Sequence, residues 1–204
     1  MMFVKICGLT RAIDADAAVD SGASAVGFIF WPQGRRYLEP EKARAIVRRL
    51  PPFVTPVGVF VNETADRINA VADLVGLGAV QLHGDERPEL LTALTRPVVK
   101  AVSAVDAHTA EEWPAEVMLL VDAHDPAARG GTGARADWDG AARLAAVRPT
   151  LLAGGITAAN VVEAVSAVRP FGIDVSSGVE DAPGIKSPER IRALFEALRG
   201  MSRS

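Results

Sequence analysis

Short apolar runs alternate with longer amphipathic stretches from one end of the chain to the other. Runs rich in Val, Ile, Phe and Leu occupy 3–7, 25–30, 56–61, 79–83, 98–102, 117–122, 151–153 and 172–175, and they predict eight strands. Between them, apolar residues recur at spacings of three and four, as in Ala15, Ala18 and Val19, in Ile68, Val71, Ala72 and Val75, and in Ile191, Leu194, Phe195 and Leu198. Each such stretch predicts a helix with one apolar stripe. Helix starts are expected at Thr10, Glu39-Pro40-Glu41, Asn62-Glu63, Thr157 and Ser187-Pro188-Glu189, where capping residues or a first-turn proline precede the stripe. Repeated strand–helix units describe a parallel sheet, and eight of them close a barrel. An open doubly wound sheet shares the alternation, but it fits the count of eight poorly, and no Gly-x-Gly-x-x-Gly follows the first strand. No stretch reads as a linker. The expected fold is therefore an α/β (β/α)8 TIM barrel, a single domain over residues 1–204.

Side chains alternate faces along a strand, so if Cys7 looks toward the barrel axis, Phe3 and Lys5 do too, while Val4 and Ile6 face the helices. The same test places Gln81 with His83, and sets Lys100, Asp122 and Asp174 on axial faces. Buried lysines require carboxylate partners, and Lys5 or Lys100 is expected to approach Asp174, Asp122 or Glu180.

Composition narrows the function. The 204 residues are 49% hydrophobic, enough for a substantial core, and 22 basic and 25 acidic side chains give a formal charge of −3. With the charges mixed along the chain, no basic face exists to follow nucleic acid or an anionic membrane. No apolar run reaches the roughly 18 residues of a membrane span, and the start lacks a leader pattern, so a soluble cytoplasmic protein is expected. Monomer and homodimer are both compatible with the pattern. The single cysteine, Cys7, cannot form an internal disulfide. It is either buried filler or a reactive group, and its place at a strand end, followed by Gly8, favours the rim where barrel enzymes keep their chemistry.

Other candidates fall on the same rim. Ala153-Gly154-Gly155-Ile156-Thr157 ends the seventh strand, and Asp174-Val175-Ser176-Ser177-Gly178-Val179-Glu180 ends the eighth. Glycines admit an anion close to the backbone, exposed N–H groups donate, and a following helix start adds positive partial charge, so this neighbouring pair suits a phosphate. Gly131 and Gly133, in Gly130-Gly131-Thr132-Gly133, are expected to add a third wall. Arg36, in Trp31-Pro32-Gln33-Gly34-Arg35-Arg36-Tyr37, can grip a planar carboxylate with a bidentate fork. Asp122 ends the apolar run of the sixth strand, where partial desolvation suits a proton donor. His83 reads as a hydrogen-bonded supporting residue near the substrate. His108 and His124 lack ligand spacing, and no metal is expected.

Taken together, Lys5-Ile6-Cys7-Gly8-Leu9-Thr10, Gly34-Arg35-Arg36-Tyr37, Val57-Gly58-Val59-Phe60-Val61-Asn62, Gln81-Leu82-His83-Gly84, Gly130-Gly131-Thr132-Gly133, Ala153-Gly154-Gly155-Ile156 and Asp174-Val175-Ser176-Ser177-Gly178-Val179-Glu180 resemble the phosphoribosylanthranilate isomerase family. The matches run in order from the first strand to the eighth. The resemblance implies a barrel of the ribulose-phosphate-binding type and an Amadori rearrangement of N-(5-phosphoribosyl)anthranilate in tryptophan synthesis, without metal or organic cofactor. It further implies Cys7 as general base, Asp122 as general acid, Arg36 on the anthranilate carboxylate, and the loops at Gly154-Gly155 and Ser176-Ser177-Gly178 on phosphate. Two other readings compete. Related aldose isomerase barrels use paired aspartates on strands one and five, where this chain has Cys7 and Lys100. A catalytically silent sugar-phosphate binder would not need both Cys7 and Asp122.

Overall fold

Strands that are apolar on both faces can be satisfied only where both faces are covered, which is the situation in a parallel barrel wrapped by helices. The computed structural model describes residues 2–103, 107–122 and 137–201, and it shows this arrangement. β1 (Phe3–Ile6), β2 (Ala25–Ile29), β3 (Thr55–Phe60), β4 (Ala79–Leu82), β5 (Val98–Ser103), β6 (Met118–Asp122), β7 (Thr150–Ala153) and β8 (Gly172–Val175) form a closed barrel in chain order. β8 returns to β1 in parallel register, with Lys5 opposite Asp174. Each strand lies within one residue of its sequence-predicted limits.

The helices are α1 (Ala12–Ser21), α2 (Pro40–Val47), α3 (Ala65–Val75), α4 (Ala107–Glu112), α5 (Trp138–Ala145), α6 (Val161–Val168) and α7 (Pro188–Met201). After β4 the chain forms a short 3-10 helix, Pro88–Ala93, instead of an α-helix. A two-stranded antiparallel ribbon, β9 (Glu180–Ala182) and β10 (Ile185–Lys186), follows β8 and was not anticipated.

Three expected helix starts move. Thr10 does not cap α1; its hydroxyl donates to the Gly184 carbonyl of the ribbon. Thr64, not Asn62 or Glu63, caps α3 by accepting from the Arg67 N–H. The residue at the start of α6 is Asn160, whose side-chain oxygen accepts from the Thr157 N–H.

Two apolar clusters separate the faces of the wall. The larger lies between strands and helices and takes Val4, Ile6, Val80, Leu82, Val102, Leu119, Val121 and Ile173. The smaller fills the lumen with Leu120, Leu151 and Ala153, against which Phe3, Val99, Ala101 and Met118 pack. Lys5 lies inside with Gln81 and Asp174, as parity requires. Lys100 does not. Val99 and Ala101 take the lumen side of β5, so Lys100 points outward, to Glu86 at 2.8 Å and over the Trp113 ring. Parity alone could not decide this, because β5 is apolar on both faces.

Candidate active site

At the C-terminal ends of the strands opens a cavity of about 690 Å³. Cys7, Arg36, His83, Asp122, Gly154, Gly155, Asp174, Ser176, Ser177 and Gly178 all line it. Gly131 and Gly133 lie outside the described residues, as does His124. Gln81 and the apolar walls Ile29, Trp31, Val59, Val61, Leu120 and Ile156 also line it.

A chain of polar contacts crosses the floor. Lys5 Nζ donates to Asp174 Oδ1 at 2.8 Å and to Gln81 Oε1 at 2.9 Å. An ammonium can only donate, so it fixes which end of the Gln81 amide faces it. The other end, Nε2, then donates to His83 Nδ1 at 2.8 Å, leaving the imidazole proton on Nε2. Burial pushes the His83 pKa down, and the neighbouring Asp122 and Asp174 offset this only in part. The ring is therefore a neutral donor at pH 7.

Cys7 is buried beside Lys5. Burial raises its thiol above the ordinary cysteine range, and the Lys5 charge opposes that rise without cancelling it. Desolvation outweighs the nearby cation, and the free protein holds a thiol. For Lys5, burial works against the charge, but the favourable contributions, led by the Asp174 carboxylate, outweigh it and hold the ammonium above its usual value.

Gly27, on β2, makes room for both groups. A Cβ there would stand 2.7 Å from Cys7 Sγ and 3.2 Å from Lys5 Cε. A glycine inside an otherwise apolar strand is a readable sign of close approach, and the sequence reading passed over it. Gly178 serves the two glycine-bearing loops similarly, since a Cβ would fall 1.8 Å from the Ile156 carbonyl oxygen. The loop after β8 leads into a three-residue 3-10 turn, Ser177–Val179, so the helix start expected to add positive charge there is one short turn.

Arg36 already holds a carboxylate. Its Nε and Nη2 donate to Glu180 Oε1 and Oε2 at 2.8 and 2.7 Å, and Glu180 also accepts from Lys186 Nζ at 2.7 Å. Among the described residues, no group of three His, Cys, Asp or Glu side chains is arranged to hold a metal ion.

A closed parallel barrel whose strand ends gather a thiol, a carboxyl, an arginine and two glycine-bearing loops around one cavity is an enzyme of the (β/α)8 class. The family model for N-(5'-phosphoribosyl)anthranilate (PRA) isomerase matches residues 4–197, and the chain belongs to that family. A relative from Pelobacter propionicus, an N-(5'-phosphoribosyl)anthranilate isomerase, is 47% identical over 201 residues, spanning 98% of this chain and 96% of its own length. The crystal structure of phosphoribosyl anthranilate isomerase from Thermotoga maritima superimposes with a TM-score of 0.91 at 44% identity, covering 98% of this chain and all of that one. Another structure of the isomerase, in complex with reduced 1-(o-carboxyphenylamino)-1-deoxyribulose 5-phosphate, gives a TM-score of 0.87 at 42% identity, with coverage of 98% and 100%.

Proposed function

We propose that this chain carries out its family's reaction, converting N-(5'-phosphoribosyl)anthranilate to 1-(o-carboxyphenylamino)-1-deoxyribulose 5-phosphate in tryptophan biosynthesis, with Cys7 as general base and Asp122 as general acid. The observation that carries this reading is the convergence of both groups on one cavity together with Arg36 and the glycine-bearing loops.

Asp122 protonates the furanose ring oxygen as the C1–O bond breaks, and the anthranilate nitrogen stabilises the resulting iminium ion. The iminium acidifies the proton on sugar C2. Cys7 removes it, giving an enolamine that tautomerises to the ketone. Burial keeps the resting sulfur protonated, so the thiolate forms when substrate is bound, with Lys5 and the developing iminium charge favouring it. His83 presents its Nε2–H as a donor to a sugar oxygen, and Asp174 holds Lys5 in place. Arg36 binds the anthranilate carboxylate. Gly154, Gly155, Ser176, Ser177 and Gly178 surround the phosphate. Holding both ends of the substrate keeps C2 within reach of sulfur.

The test follows the loss of substrate fluorescence. Cys7→Ala and Asp122→Asn should each lower kcat by about a hundred- to ten-thousand-fold while still binding the reduced product analogue. A near-normal kcat in either variant removes that residue from its role. Arg36→Met should raise KM more than it lowers kcat.

The reading takes the chain as one domain at work in the cytoplasm. Among the described residues no helix is long and apolar enough to cross a membrane. The Thermotoga maritima isomerase is dimeric, and this chain carries Phe53 94% exposed on the loop before β3, which supports a homodimer. Sedimentation across a range of protein concentrations distinguishes dimer from monomer.

A further inference from the structure

Resting on the reading above, we infer that Glu180, backed by Lys186, is the positioning residue that aims Arg36 at the substrate carboxylate. The Glu180 carboxylate is buried and takes the side-on edge of the guanidinium, Nε and Nη2, as a bidentate pair. Among the described residues nothing accepts from Nη1. The Nη1–Nη2 edge is therefore the one left for a ligand in the cavity that Arg36 lines.

The clamp is held from several sides. Lys186, itself 1% exposed, reaches Glu180 Oε1 at 2.7 Å and the Ser176 carbonyl oxygen at 3.1 Å. The Gly184 N–H donates to the same Oε1 at 3.1 Å. The Lys186 N–H donates to Asp14, a fully buried carboxylate that also pairs with Arg11. On the other flank, the Arg36 stem lies against Gly8, where a Cβ would come within 2.5 Å of Arg36 Cδ. The guanidinium thus has one rotamer fixed at both ends, in a segment adjoining Cys7.

Charge counting points the same way. One carboxylate serves two cations, so the cluster keeps a net positive charge beside the cavity, and that excess is available to an anionic ring substituent. A pair built only to hold the ribbon would need one cation, and Lys186 already supplies it.

The test compares two ligands by calorimetry: reduced 1-(o-carboxyphenylamino)-1-deoxyribulose 5-phosphate and its phenylamino counterpart lacking the carboxylate. The wild-type protein should prefer the carboxylated ligand by at least about tenfold, a step of about 1.4 kcal/mol. Glu180→Gln should remove most of that preference, and Glu180→Asp, which keeps the charge on a shorter arm, should remove part of it. In an Arg36→Met background, Glu180→Gln should change the preference no further. Because the readout is a ratio of affinities, partial unfolding of a variant cancels. Equal weakening of both ligands, or an unchanged ratio in both Glu180 variants, overturns the inference. Failure of the wild-type protein to bind the carboxylated ligand overturns the functional reading itself, and the inference with it.

Discussion

Lys5 on β1 and Lys100 on β5 are each about 1% exposed, and each meets a carboxylate at 2.8 Å, yet they serve opposite sides of one barrel wall. Lys5 faces the lumen, where its ammonium orients Gln81 and, through it, His83, and lies beside Cys7. Lys100 faces the helices. It donates to the Gly84 carbonyl and to Glu86, whose carboxylate also collects the N–H groups of Asn62 and Gly84. One buried ion pair is wired to the chemistry and the other pins the rim behind His83. Residue type and burial are the same, so only the strand face tells them apart.

Breaking each pair separates these duties. Lys100→Met leaves Glu86 buried without its cation and Lys5→Met does the same to Asp174, so each should destabilise the protein by about 3 to 5 kcal/mol, read from urea unfolding. Per folded molecule, Lys100→Met should keep kcat within about twofold, because its pair touches no group placed in the reaction. Lys5→Met should also lower kcat by more than about tenfold, since Gln81 loses its fixed orientation and Cys7 loses its nearest cation. A normal kcat in Lys5→Met would erase the distinction between the two lysines.

Gly27→Ala sharpens the comparison from the lumen side alone. The added methyl would contact Cys7 Sγ and Lys5 Cε while touching nothing near Lys100. A displacement of the base by about 1 Å should reduce kcat by about a hundredfold, with KM little changed. Stopped-flow or steady-state kinetics on the folded variant provide the measurement, and unchanged kcat would mean that the sulfur can shift freely.

The strands were legible because each is a short apolar run bounded by turn residues, and the run ends named the rim. Cys7, Asp122, His83 and the loops after β7 and β8 could be placed on one opening for that reason. The outward turn of Lys100 was not legible: Val99 and Ala101 pack in an apolar lower lumen, so both faces of β5 read as interior. Nor was the pairing of Arg36 with Glu180, which are 144 residues apart and meet through a ribbon too short to carry a hydrophobic period. Pro183-Gly184 was the available sign of that turn. The protonation state of Cys7 was not legible either, for a different reason. Charges can be counted along a sequence, but the desolvation that outweighs them depends on how deeply the fold buries the sulfur.

A smaller effect distinguishes the two lysine networks by pH. His83 ends the Lys5 chain, and burial holds its folded-state pKa below the ordinary value of 6.5. The unfolded chain therefore takes up a proton first as pH falls, and stability declines through and below pH 6.5. Glu180 titrates in the same sense, its carboxyl lying below the ordinary 4.5 despite burial, because Arg36 and Lys186 hold it ionised. Its contribution is present above pH 4.5 and lost only below that, so measurements between pH 7.5 and 5.5 isolate the histidine. Over that span the stability of His83→Asn should fall less than that of the wild-type protein, and Lys100→Met, which removes a smaller cationic contribution to the lowered His83 pKa, should fall between the two. His108 and His124 are common to all three proteins and cancel in the differences. Parallel slopes for wild type and His83→Asn would show that the ring at the end of the Lys5 chain accepts its proton as readily folded as unfolded.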